Sequence, residues 1–195
     1  LAFIGFSLPD DPWTLKSIIV SYETIIDQAG CSGGDGRESK NFGGVPFDAR
    51  GIIQLAGGSI KDLNPDYPEQ VTGIKVGRPC RRIHFLHGTG WIVPEGTVIG
   101  QWVMRFANGQ RVSVPIVYGP DVRNWQFWPR MSAEDGGADP MWKGTQVRWK
   151  KITGFGVRLY KSTWENPRPD AAIAAIDLVS TQAASAPFVL AITVE

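Results

Sequence analysis

The chain has 195 residues, a formal net charge of +1, 23 glycines, 14 prolines and 8 tryptophans; 43% of it is hydrophobic and 20% charged. That much apolar material excludes disorder, that many helix breakers exclude a coiled coil or helical repeat, and so small a charge gives no bulk attraction to nucleic acid or an anionic membrane. Aromatic and turn-forming residues at this density point to an all-β chain of single-domain size.

Residues 1–6 are apolar but too short for a signal core or a membrane span, which predicts a soluble chain with any export signal outside it. Residues 15–27 fit a strand or a short helix, and residues 30–44 read as a Gly-rich loop. In residues 45–55, Phe47, Ala49 and Gly51 share one face of an extended segment. Residues 81–87 carry apolar side chains on both faces, as a central strand does. Trp102, Met104 and Phe106 alternate into Asn108-Gly109, and Val112, Val114 and Ile116 alternate out. Asn-Gly between alternating runs predicts a hairpin with a type I′ turn, and Pro115 places its second strand at an edge or a bulge. Further strands are expected near residues 124–128, 146–150 and 154–161. Pro167 and Pro169 mark residues 163–170 as a connecting loop. Ala172, Ala174, Ile176 and Leu178 alternate as a strand, although their alanines leave a helix open; Phe188, Leu190, Ile192 and Val194 alternate cleanly. Phe85, Trp102, Phe106 and Phe188 are the expected aromatic core. Eight to ten strands predict a two-sheet antiparallel β-sandwich of jelly-roll type, one domain over residues 1–195, with residues 1–43 an arm and Gly-rich loop.

Catalytic motifs are missing: the sequence has no Gly-x-Ser-x-Gly, phosphate-binding loop, dinucleotide fingerprint or His-Glu-x-x-His. His84 and His87 lie three apart, on opposite faces of a strand, and so cannot chelate one metal there. Asp135 and Asp139 offer a weak calcium site without EF-hand spacing, and turn formation explains them equally well. Cys31 and Cys80 allow one bridge in an oxidising compartment; the simpler reading is a buried Cys80 and a free Cys31. Arg50 is expected to pair with Asp48 or Asp177. The informative residue is tryptophan. An indole face covers the C–H face of a sugar while Asp, Asn and Arg meet its hydroxyls. Trp125 and Trp128 are therefore candidate stacking platforms, with Asp121, Arg123 and Asn124 as hydrogen-bonding partners and Trp142 and Trp91 in reserve. Core packing competes with this role for each tryptophan taken alone.

Residues 44–55 (GVPFDARGIIQL), 80–87 (CRRIHFLH), 116–125 (IVYGPDVRNW), 163–167 (TWENP) and 186–193 (APFVLAIT) resemble β-sandwich domains at the C-terminal end of secreted or envelope-associated bacterial proteins. These look related to galactose-binding-like jelly rolls, which include carbohydrate-binding modules. The similarity spans residues 44–194 and implies a fold rather than an activity; it carries no catalytic residue onto this chain.

The leading expectation is a non-catalytic carbohydrate-binding module outside the cytoplasm, with a glycan as partner, no cofactor beyond a structural calcium, no nucleic acid and no membrane insertion. The alternative is a structural or assembly domain, in which residues 1–6 add as a strand to a neighbouring molecule and aromatics serve as interface anchors.

Overall fold

A computed structural model describes residues 2–4, 40–49, 52–61, 66–127, 145–148 and 156–195. In chain order these carry β1 (Ala2–Ile4), β2 (Lys40–Phe42), β3 (Val45–Phe47), β4 (Ile53–Gln54), a helical turn α1 (Gly58–Lys61), β5 (Gln70–Pro79), β6 (Arg82–Gly90), β7 (Val98–Phe106), β8 (Arg111–Val117), β9 (Gln126–Phe127), β10 (Thr145–Arg148), β11 (Gly156–Glu165), β12 (Ala172–Ser180) and β13 (Ala186–Val194). The first sheet runs β1-β13-β6-β11-β10, with β4 also on β13 and β9 also on β11; the second runs β5-β12-β7-β8. From β5 onward the chain passes repeatedly from one sheet to the other. The result is a two-sheet antiparallel sandwich wound as a jelly roll.

The core between the sheets follows from period-2 burial. Ile83 and Phe85 of β6 face Trp102, Met104 and Phe106 of β7, and the rings of Phe85 and Trp102 stack with centroids 4.0 Å apart. A second cluster lies on the outer face of the first sheet, where Leu86, Leu159, Phe188, Leu190 and Ala191 are covered by Phe42 and Phe47 of the β2–β3 hairpin. β6 and β13 are thus buried on both faces, as the two-faced apolar pattern of residues 81–87 predicts.

Several expectations are corrected. The β7–β8 hairpin forms, and β8 with Pro115 is the edge of its sheet. Its turn, however, is not type I′: Gly109 alone has positive φ (86°), and Gly109 N–H donates to Phe106 C=O at 3.0 Å. This is a type I turn followed by a left-handed glycine, and Asn108 Oδ1 steadies it by accepting from Gln110 N–H. Phe188 belongs to the outer cluster, because a bulge at Leu190 breaks the alternation of β13 and sends Val189 and Ile192 inward. A register shift between Ile173 and Ala175 likewise puts Ile173 and Ile176, three apart, on the inner face of β12. β11 continues through Thr163 and Trp164 to Glu165, paired with β6, so the prolines at 167 and 169 interrupt the chain only beyond Glu165. The end of the expected Gly-rich loop forms β2, and β1 pairs with β13 of its own chain (Ala2↔Val194) instead of a neighbour. Asp177 pairs with Arg105 at 3.0 Å and accepts Gly73 N–H at 2.7 Å; Arg50, its expected partner, lies outside the described residues.

Candidate functional site

On the side where β8 and β11 run past each other, the two sheets leave a cleft of about 240 Å³. Phe85, His87 and Trp102, all nearly inaccessible, form its floor. The inward residues of β11, Ser162 and Trp164, line one side; β8 lines the other, and Asp121 closes one end. Pairing dictates this arrangement. Ser162 lies opposite Phe85 and Trp164 opposite Ile83, so both take the inward face of those partners.

His87 has its Nε2 2.9 Å from Ser162 Oγ and its ring 6.2 Å from that of Trp102. Burial holds its pKa down to about 3, so the imidazole is uncharged at neutral pH and a weak proton acceptor. His84 faces the other way, with Nδ1 2.9 Å from Thr163 Oγ1 and Nε2 3.1 Å from Glu195 Oε2. The two histidines are therefore on opposite faces, as their spacing requires. Hydrogen bonding from His84, with Arg82 nearby, holds the Glu195 carboxyl below the usual carboxylate range.

The segment between β8 and β9 collects four of the predicted binding residues and uses most of them structurally. Asp121 Oδ2 accepts Val117 N–H at 2.8 Å and Asp121 N–H donates to Val117 C=O, which closes a tight loop through Gly119 (φ 97°). A Cβ on Gly119 would collide with the Glu95 carboxylate, and that carboxylate pairs with the buried guanidinium of Arg123. Asn124 C=O accepts from Arg158 Nε at 2.8 Å, and Trp125 bonds Thr89 and Arg158 through its backbone. The Trp125 side chain is half-buried against the outer cluster, away from the cleft. Of the predicted residues that the structure describes, then, only Asp121 lines the cleft. Trp91 is half-buried at one end of the sandwich, packed against the Ala56, Ile60, Tyr67 and Ala186 cluster, with φ of 64°.

Trp128, Trp142, Asp135, Asp139, Arg50 and Cys31 lie outside the described residues. Cys80 is buried and carries no disulfide among the described residues, and burial pushes its thiol pKa up. Among the described residues no group of three His, Cys, Asp or Glu could hold a metal ion, and no helix is long and apolar enough to cross a membrane. Sequence reasoning misses Ser162 and Trp164 as site residues, because Trp164 stands just before a Pro-x-Pro segment and reads as part of its loop. The signal for them is the alternation Tyr160, Ser162, Trp164, which continues the preceding strand. No family model matches the chain, and no curated protein matches it.

Proposed function

We propose that the domain is a non-catalytic carbohydrate-binding module whose site is the inter-sheet cleft. The observation that carries this reading is the chemistry of the lining: the indole of Trp164 beside a carboxylate (Asp121), a hydroxyl (Ser162) and a neutral imidazole (His87). An indole suits the apolar face of a sugar ring, and the three polar groups suit its hydroxyls. Binding is favoured over catalysis because His87 is a weak base, held by burial well below the pH at which it would accept the Ser162 proton usefully. The galactose-binding-like resemblance of residues 44–194 supports the same reading, and an extracellular or envelope location is part of the proposal.

Affinity electrophoresis through gels of neutral glycans tests it. The wild-type chain is retarded by at least one glycan, Trp164→Ala loses that retardation, and Trp125→Ala keeps it, with thermal melts confirming that both variants fold. Failure of every neutral glycan to retard the wild type, or unchanged retardation of Trp164→Ala, would overturn the proposal.

A second reading, a docking or assembly domain, draws on Ile92, which is 73% exposed beside the left-handed Trp91. Light scattering over a range of concentrations separates the two, since Ile92→Ser reduces self-association only under this reading.

A further inference from the structure

The outer face of the second sheet carries a feature that the cleft does not use. Strand register sets Lys75, Ala175, Arg105 and Arg111 in one row across β5-β12-β7-β8. Their chain neighbours Ile74, Ile176, Met104 and Val112 point into the core, so the row faces outward. Lys75 and Arg111 are exposed, and the Arg105 side chain is 33% exposed. The two rows beside it hold Asp177, Val103 and Ser113, then Val179, Gln101 and Pro115. Among these described residues three cations face one acid, Asp177, which already binds Arg105 and Gly73 N–H. Arg105 and Arg111 stand directly opposite each other, where like charges repel. Arg105 Nε is buried and has no hydrogen-bond partner among the described residues.

Adjacent strands lie about 4.8 Å apart, so the cations span roughly 14 Å from β5 to β8. A small anion meets one or two of them, whereas a linear polyanion crossing the strands meets all three. Ala175 and Ser113 are short and leave that track flat. No aromatic residue stands in these three rows, so the face lacks the stacking platform that single-stranded nucleic acid uses. We propose that this face binds an anionic polysaccharide, one bearing uronate or sulfate groups. The surface is distinct from the inter-sheet cleft and does not depend on it.

The test is affinity electrophoresis with heparin and polygalacturonate, compared with dextran and a single-stranded DNA oligonucleotide. The wild type is retarded by both acidic polysaccharides and not by dextran, and less so as salt rises. The double variant Lys75→Gln/Arg111→Gln, which alters only exposed side chains and leaves the Arg105–Asp177 pair intact, binds about tenfold more weakly. Trp164→Ala binds the acidic polysaccharides unchanged, which separates this face from the cleft. No retardation of the wild type, equal retardation of the double variant, or tighter binding to the oligonucleotide each overturns the proposal.

Discussion

His87 is the buried residue whose chemistry reaches furthest. It sits on the cleft floor beside Trp102 and Ser162, and its pKa falls from 6.5 to about 3 because the charged form would be desolvated. Between those two values the unfolded chain holds a proton that the folded chain lacks, so folding stability rises with pH across that window. As pH falls below about 6.5 the fold loses about 1.4 kcal/mol per unit from this group. The Glu195 carboxyl, whose pKa is depressed, acts in the same direction but only below the ordinary carboxylate range. Urea unfolding between pH 5 and pH 6.5 therefore isolates the imidazole. His87→Gln, which keeps an amide partner for Ser162, flattens the slope in that interval; a slope unchanged in the variant would assign the proton elsewhere.

At the scale of elements, the β7–β8 hairpin makes the sharpest prediction. With Gly109 at φ 86° and Asn108 in an ordinary right-handed conformation, the two turn residues are unequal. Gly109→Ala costs about 1–2 kcal/mol by forcing a Cβ into the left-handed region. Asn108→Ala costs only its exposed side-chain hydrogen bonds, accepted from Gln110 N–H and donated to Gln110 Oε1, about 0.5–1 kcal/mol. A type I′ turn would penalise both changes through backbone strain, so paired denaturation midpoints distinguish the two geometries. The same hairpin shows what is legible in the sequence: Asn-Gly between alternating apolar runs specifies the pairing, while the turn type depends on a loop one residue longer. Bulges are not legible, since an extra residue at Leu190 or near Ala174 reverses the parity on which every face assignment rests. β5 leaves little trace because it is an edge strand with mostly exposed residues and left-handed glycines at Gly73 and Gly77. The candidate site is half legible. Asp121 stands out from its neighbours, yet Trp125 outranks Trp164, because local composition says nothing about which sheet face an indole takes.

Across the whole molecule, β13 is the hinge of the assembly: β1 and β4 lie along one side of it and β6 along the other. β1 occupies an edge that would otherwise present unpaired backbone groups to a second molecule. Deleting residues 1–6 uncovers the Ile192–Val194 stretch of that edge, and light scattering should then find concentration-dependent association that the undeleted chain does not show. A strictly monomeric deletion variant would mean that the edge is protected by something other than β1.

The central place of β13 also bears on how the chain is born. The strand that comes last in sequence is the one against which β1, β4 and β6 must align, and the partners Ala2 and Val194 are nearly the whole chain apart. A ribosome delivers residues in order, so the first sheet stays without its middle strand until β13 has left the exit tunnel. Until then Leu86 and Leu159 lack the neighbours Phe188, Leu190 and Ala191 that complete their cluster. Closure therefore waits on contacts between segments far apart in sequence and carries a large loop-closure entropy, which places this sandwich among slow folders that expose apolar surface while they wait.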